Sequence, residues 1–229
     1  MENETREYQK VISYLSDMMA SGELTVGQRL PAERHIAETL SIGRNSTREA
    51  LRMLEHMGMI VCKRGSGNYL VGNVSRPVSE MIHMMLLLGQ TNQWEICSFR
   101  RNMEKAVCRA ILDAKTFSRW EEKGSTILHQ AQAAQQLEEQ IELDRKFHFL
   151  LIHATENHFW TALLEPVADT YRKWIDTALQ TASESVKEEL QQAHWDLFHA
   201  LQKGDFLACE AAIDKHYNCV DAELQSLSM

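Results

Sequence analysis

Two side chains that can bind a metal ion stand one helical turn apart in the stretch LDRKFHFLLIHATEN, residues 143–157. Asp144 and His148 are four positions apart, so on a helix both project from the same face. The neighbouring residues are largely apolar, which predicts that this face is buried. An unpaired ionised carboxylate in a core is costly. The spacing therefore predicts partners for Asp144 and His148 elsewhere in the chain.

Two later histidines can supply these partners. The segment QQAHWDLFHALQKGDFLACEAAIDKHYNCV predicts two helices joined near Gly204. If these helices pack antiparallel, His194 and His216 lie at nearly the same height, because each is about ten residues from the turn. One carboxylate and three imidazoles suit a divalent ion such as zinc, nickel, manganese or iron, and the mixture alone does not choose among them. A lone histidine is more often an ordinary core or surface residue, so the prediction rests on the set of four.

The composition limits where such a site can be. The chain has 229 residues, enough for one large or two ordinary domains. No stretch approaches the roughly 20 uncharged apolar residues of a membrane span, and the first residues lack a signal-peptide pattern. The five cysteines are odd in number and form no CxxC pair, which argues against a disulfide framework. We therefore expect a soluble, cytoplasmic protein with no membrane partner.

The charge is distributed unevenly. Residues 1–72 carry nine basic and nine acidic side chains, whereas residues 73–229 carry fifteen basic and twenty-three acidic ones and so account for the whole net charge of −8. Within the first part, positions 29–64 hold seven basic and four acidic residues. A locally basic segment joined to an acidic remainder predicts two domains with different partners.

The order of elements in the basic part predicts a winged helix-turn-helix. A short helix over about 32–40 and a second helix in RNSTREALRMLEHMG are separated by the break SIG. The following MIVCKRGSGNYLV predicts two short strands joined by a glycine-containing turn. Two helices with a short break, followed by a hairpin, are typical of winged DNA-binding domains.

Beyond residue 78 the pattern is purely helical. The stretch 72–79 carries small, polar and proline residues, which favours a linker. We thus predict an N-terminal winged helix-turn-helix (α+β) over 1–72, a linker over 73–79, and an all-α antiparallel helical bundle over 80–229.

The recognition helix carries side chains that can bind DNA. Arginine suits guanine because its fork meets O6 and N7 together, and Arg44 and Arg48 lie one turn apart at the start of this helix. Asn45 and Ser46 are shorter polar readers or phosphate ligands. The alternative is that the arginines only solvate a helix face and pair with acidic neighbours such as Glu33 or Glu49. The other expected DNA contacts are one residue at the start of the preceding helix and four in the hairpin turn: Arg34, Lys63, Arg64, Gly65 and Gly67.

The stretch GELTVGQRLPAERHIAETLSIGRNSTREALRMLEHMGMIVCKRGSGNYLV resembles the GntR family of bacterial transcription regulators over the whole first domain. The resemblance implies that Arg34, Arg44 and Arg48 read the operator and that Gly67 meets the minor groove. The matching residues are Gly27, Leu30, Pro31, Glu33, Arg34, Ala37, Arg44, Arg48, Glu49, Ala50, Leu51, Leu54, Gly58, Gly65 and Gly67.

The second domain resembles the FadR-like subfamily of these regulators. The similarity lies in DxxxH followed by Asn157, in the later H…GD…H, and in RRNME, which contains Arg100 and Glu104. In many members an Asp and three His bind a divalent metal, so the resemblance implies that role for Asp144, His148, His194 and His216, with zinc as the first choice. It also implies that Arg100 pairs with a small carboxylate effector, helped by Glu104 and Asn157.

These features together predict a homodimeric regulator, more often a repressor in this family, that reads a palindromic operator in double-stranded DNA. A small organic or sugar acid bound at the metal would control operator binding. Three alternatives stay open: the metal ion is itself the effector, the metal is purely structural, or the domain is a metal-dependent enzyme. No HExxH pattern accompanies the ligands, which disfavours an enzyme.

Overall fold

The computed structural model describes residues 2–73 and 75–226, without the side chains of residues 2–6, 171 and 173. The chain divides into two compact units, Met1–Val78 and Ser79–Met229.

The first unit is a winged helix-turn-helix, as predicted. It contains α1 (Glu2–Ala20), α2 (Glu33–Leu40), α3 (Arg44–His56), β1 (Ile60–Lys63) and β2 (Gly67–Leu70). The strands pair antiparallel, with Ile60 opposite Leu70 and Lys63 opposite Gly67. The three helices and the hairpin share one apolar core, which includes Val11, Leu15, Ile36, Ala50, Leu51, Leu54, Ile60 and Leu70.

The turn between α2 and α3 determines how the recognition helix begins. Ser41 ends α2 in the left-handed conformation, with φ of 52°. The next helix starts after Gly43, whose carbonyl oxygen accepts a hydrogen bond from the fully buried Thr47 hydroxyl at 3.1 Å. Burial of Thr47 turns one side of α3 inward, so the arginines on the other side face solvent.

The described part of the second unit contains helices and no strand, again as predicted. Helix α4 (Ser75–Leu87) begins in the last residues of the first unit and continues into the second. The other helices are α5 (Gln93–Ala114), α6 (Glu121–Ala133), α7 (Leu137–Ala154), α8 (His158–Thr181), α9 (Glu184–Lys203) and α10 (Phe206–Ser226). A 3₁₀ turn, Phe117–Arg119, precedes α6. Gly204, with φ of 71°, caps α9 and lets α10 fold back along it.

The core of this unit forms where α7 packs against α5, α6 and α8, and α10 packs against α5, α8 and α9. Phe147, Ile111, Ile213 and Tyr217 are among its most buried side chains. The bundle therefore brings α5, α7, α9 and α10 around a common interior.

The expected linker, 73–79, is largely helical. Residues 75–79 form the first turns of α4, and Val74 lies outside the described residues. Proline is tolerated in a first helical turn because it lacks only a donor that has no intrahelical partner there, which explains why Pro77 does not prevent this helix. No helix in the described part of the chain is long and apolar enough to cross a membrane.

Gly58 has a left-handed backbone conformation and lies against the backbone of Asn73. Its φ is +70°, and a Cβ atom there would lie 1.8 Å from the carbonyl oxygen of Asn73. Gly58→Ala should destabilise the first unit by about 2–5 kcal/mol, since left-handed strain and overpacking add. Gly22→Ala is the control: φ is +79° but nothing lies within 4 Å, so only about 1–2 kcal/mol of strain is expected. Calorimetric unfolding of the full chain compares them, and equal losses would contradict the proposed clash.

Candidate functional site

Three buried histidines meet inside the second unit. His148 comes from α7, His194 from α9 and His216 from α10, and their exposed fractions are 6%, 6% and 7%. One ring nitrogen from each lies within 4.8 Å of the others. The ring centroids of His194 and His216 are 4.7 Å apart, which follows from the antiparallel packing of their helices around the Gly204 turn.

The rings of His148 and His194 face each other through their Nε2 atoms. The Nε2 atoms of His148 and His194 are 3.3 Å apart. The Asp144 Oδ1 atom lies 3.4 Å from Nε2 of His194 and 3.8 Å from Nε2 of His148. Asp144 thus borders the pair of imidazoles on α7 and α9, while the tight three-residue cluster consists of the histidines themselves.

The spacing fits a metal ion. Two imidazole nitrogens bound tetrahedrally to zinc at about 2.0–2.1 Å lie roughly 3.3 Å from each other, which is the separation of the two Nε2 atoms. In addition, Nδ1 of His216 is buried and has no hydrogen-bond partner among the described residues. Close lone pairs from three rings are unfavourable without a proton or a cation between them, so the residues present fit a divalent ion.

Glu104 lies beside Nδ1 of His148, while Nε2 of the same ring faces His194. Its Oε1 atom is 3.1 Å from Nδ1 of His148, within ion-pair distance although not aligned for a ring N–H hydrogen bond. The same oxygen accepts hydrogen bonds from Arg100 at 3.2 Å and from the Tyr217 hydroxyl at 2.7 Å. A carboxylate on the far nitrogen of a histidine fixes its ring and leaves the other nitrogen available for a metal.

Burial and charge set the protonation of this group of residues. Burial alone would raise the pKa of Glu104, but His148, Arg100 and His216 hold it well below its usual range. Burial opposes charging His148, yet Glu104 and Asp144 raise its pKa. Burial lowers the pKa of His194 to about 4, against the pull of Asp144. Glu104 is therefore ionised and His194 neutral near pH 7.

His216 has the same character as His194. Burial, followed by the neighbouring His194 and His148, lowers its pKa well below the usual value. A neutral imidazole keeps the lone pair that metal binding requires. Two of the three rings are thus already in the form that a cation needs.

A cavity of about 40 Å³ lies between α5, α7, α8 and α10 beside His148 and His216. We call it the arginine chamber because Arg100, Arg145 and Arg172 line it. Arg145 also contacts Glu142 at 2.7 Å, and Arg172 lies 3.6 Å from Asp176. The other polar side chains of its wall are Asp144, His148, Asp176, His216 and Tyr217.

Most residues predicted for the second-domain site come together, with one exception. Arg100, Asp144, His148 and His216 line the arginine chamber, and His194 lies behind Asp144. Asn157 instead begins α8, where its side-chain oxygen accepts a hydrogen bond from the Phe159 amide at 2.9 Å. Asn157 is therefore a helix cap, and it does not line the arginine chamber.

Sequence reasoning missed several participants. Tyr217 follows a predicted ligand directly, but no spacing rule distinguishes a tyrosine that binds a buried carboxylate from one that only packs. Arg145 and Arg172 belong to the chamber only because α7 and α8 pack with these faces together. The sequence signal for Arg145 was the presence of a charged side chain within an otherwise apolar helical pattern.

The residues predicted to bind DNA lie at the surface of the first unit. Arg44 and Asn45 are exposed at the start of α3, with Ser46 half-buried beside them. Arg48 pairs with Glu33 at 2.9 Å, and Arg34 pairs with Glu38 at 2.8 Å. Glu33 was expected as a partner only under the competing interpretation, and Glu38 was not expected; both arginines remain more than half exposed.

The wing carries two further cations. Lys63 lies 4.6 Å above the ring of Tyr69, and Arg64 is exposed in the turn. Gly65 and Gly67 have φ of +75° and +109°, which only glycine adopts easily. The guanidinium of Arg29 lies against Gly67, where a Cβ atom would be 2.8 Å from its Nε atom.

The hydrogen bond from Tyr217 can be tested without any metal. Tyr217→Phe should cost about 1.5–3 kcal/mol of unfolding free energy in chelator, because the acceptor is an ionised carboxylate. In a Glu104→Gln background the same change should cost less than half as much. Denaturant unfolding followed by tryptophan fluorescence measures both, since the five tryptophans lie in the second unit. Equal costs in both backgrounds would rule out the proposed coupling.

Sequence profiles of two known families cover most of the chain. The profile described as "Bacterial regulatory proteins, gntR family" matches residues 7–70, and that of the "FCD domain" matches residues 95–218. The chain is similar to the HTH-type transcriptional regulator LutR of Bacillus subtilis, with 24% identity over 89% of this chain and 94% of that protein. It is also similar to the Uxu operon transcriptional regulator of Escherichia coli, with 25% identity over 97% of this chain and 88% of the relative.

The solved structure described as "Streptococcus agalactiae GntR" has the same fold. It superposes with a TM-score of 0.72 and 20% sequence identity, covering 93% of this chain and 98% of that one. The two family matches fall on the two compact units, and together they include the DNA-facing surface and the histidine cluster. The chain therefore belongs to the GntR family of bacterial transcription regulators, with a winged helix-turn-helix DNA-binding domain followed by an FCD domain.

Proposed function

We propose that this protein is a repressor whose operator binding is controlled by a small organic acid bound at a divalent metal ion in the FCD domain. It acts as a homodimer on a palindromic operator, because two recognition helices related by a two-fold axis read two half-sites. The observation that carries the proposal is the meeting of three buried imidazoles, two of which, His148 and His216, line a chamber that also contains arginines.

In this proposal Asp144, His148, His194 and His216 hold the ion. Zinc is the first choice, and nickel, manganese and iron suit the same ligands. When bound, the ion supplies positive charge and open coordination positions that attract a carboxylate. Glu104 orients His148 through its Nδ1 atom, a contact supported by the 3.1 Å separation.

Arg100 binds the effector carboxylate. Its side chain is only 12% exposed and lines the arginine chamber next to the histidines. A guanidinium meets a carboxylate through two parallel hydrogen bonds, which gives both charge and direction. Glu104 accepts from Arg100 at 3.2 Å and so restricts where this fork points.

Effector binding must favour one conformation of the protein over another if it is to alter DNA affinity. The groups around the chamber come from α5, α7, α8 and α10, so a bound acid would tie four helices together. In the first unit, Arg34, Arg44 and Arg48 read bases, and Asn45 and Ser46 assist. The wing residues Lys63 and Arg64 lie along the adjacent phosphates or minor groove. Gly65 and Gly67 let the wing backbone approach the DNA closely, with Gly67 at the minor groove.

Metal binding is tested with two histidines of the same helix. In wild type, an ion at 1,000 times its dissociation constant should stabilise the second unit by about 4 kcal/mol. His148→Ala should lose this stabilisation, while operator affinity in the absence of effector changes less than about two-fold. His153→Ala is the matched control, because that side chain is 44% exposed and pairs with Glu165 at 2.9 Å. If the His148 variant kept the full metal-dependent stabilisation, the ion would bind at a different site.

Base reading is tested with two arginines of equal charge. Arg48→Ala should lower the preference for an operator selected from random duplexes by about 1–3 kcal/mol relative to unrelated DNA. Arg109→Ala, an exposed residue of α5 paired with Asp113, removes the same charge outside the first unit. It should leave specificity unchanged. If both variants lose specificity equally, Arg48 contributes charge alone.

Control by an acid is tested by measuring operator affinity with metal-loaded protein and a panel of organic and sugar acids. At least one acid should change the affinity about 5- to 150-fold, the usual range of coupling between sites. Affinity that follows free metal concentration and ignores every acid would instead make the ion the effector. Affinity indifferent to both would leave the metal a structural role and overturn the proposal.

A further inference from the structure

A second cavity is adjacent to the arginine chamber. It encloses about 40 Å³ and lies between α6, α7, α8 and α9. Ile141 and Asp144 line both cavities, so the two lie on either side of these residues. We call this second cavity the apolar chamber, because much of its wall consists of Leu128, Leu137, Leu143, Phe147, Leu179 and Leu190.

The polar side chains of the apolar chamber are already engaged. Gln140 donates from Nε2 to the Ala134 carbonyl at 2.8 Å, and Gln191 donates to the Ala131 carbonyl at 3.1 Å. Lys187 is paired with Glu184 at 2.7 Å. A ligand segment with hydroxyl groups or charges would lose hydrogen bonds to water on entering this chamber and would find few free groups to replace them. Burying such a segment here is therefore unfavourable.

The two chambers differ in the ligand chemistry they suit. The arginine chamber presents three guanidinium groups and two carboxylates, Asp144 and Asp176, to a bound molecule. The apolar chamber presents mainly aliphatic side chains and Phe147, and its polar lining residues are Gln140, Asp144, Lys187, Gln191 and His194. Since Asp144 borders both chambers, a molecule that extends past it can place a charged end in the first and an alkyl chain in the second.

We propose that the effector is a monocarboxylic acid with a short aliphatic tail, whose tail occupies the apolar chamber. This inference rests on the proposed function, because it assigns the carboxylate end of the effector to the arginine chamber and its metal. It narrows the effector class from organic or sugar acids in general to acids with an alkyl tail. Each buried methylene should strengthen binding about three- to four-fold until the chamber is full.

The test uses zinc-loaded full-length protein and a homologous series of 2-hydroxy acids, from 2-hydroxypropanoate to 2-hydroxyoctanoate, with gluconate as the hydroxylated comparison. Calorimetric titration gives the dissociation constant of each acid, and melting temperature gives an independent readout. Affinity should rise with each added carbon over part of the series and then level or fall. Gluconate should bind more weakly than the best 2-hydroxy acid.

Two matched substitutions locate the tail. Ala131 lines the apolar chamber and Ala168 lines the arginine chamber, and both are half-buried on helices. Ala131→Leu should leave 2-hydroxypropanoate binding within about two-fold of wild type and abolish the gain from longer tails. Ala168→Leu should weaken all members of the series. Leu179→Ala enlarges the apolar chamber and should move the best chain length upward.

The outcomes separate this inference from the function it rests on. If short acids bind and longer ones bind no better, the tail site is wrong while acid control at the metal stands. If the gain from longer tails persists in Ala131→Leu and the optimum is unmoved in Leu179→Ala, the tail lies elsewhere, and the inference is overturned. If no acid of any kind binds the zinc-loaded protein, the proposed function itself fails.

Discussion

The burial of three imidazoles at one point is the constraint on which the second unit depends. Rings whose centroids lie 4.7–5.2 Å apart cannot all be protonated in a poorly solvated interior, because like charges repel there. The protein meets this constraint by keeping His194 and His216 neutral and by backing His148 with the ionised Glu104. Arg100 and Tyr217 follow from the same requirement, since a buried carboxylate needs donors of its own.

The two cavities beside this cluster have walls of different polarity. Toward the middle of α8 the walls carry arginines and acids, whereas toward its end they carry leucines. Asp144 lies at the junction and touches the histidines as well. This arrangement suits a ligand with unlike ends better than a uniformly polar one.

In the first unit, acidic neighbours accompany the arginines without neutralising the surface. The pairs Arg34–Glu38 and Arg48–Glu33 are exposed, so each contributes little to stability. Arg44 has no acidic partner among the described residues and stands at the first position of α3. Because these carboxylates are exposed, they hold the guanidinium groups weakly and leave them accessible to an anionic partner.

The order of the two domains, the winged helix-turn-helix and the helical nature of the rest could be predicted from the amino-acid pattern, because they follow from local periodicity, turn residues and charge. The pattern also indicated the histidine cluster, since His194 and His216 are symmetric about a predictable turn. The packing of the helices was needed to show that Glu104 supports His148, that Asn157 caps a helix, and that Arg145, Arg172 and Tyr217 join the site. These assignments depend on how α5, α7, α8 and α10 rotate against each other, and that rotation results from packing over the whole core, which no local spacing encodes.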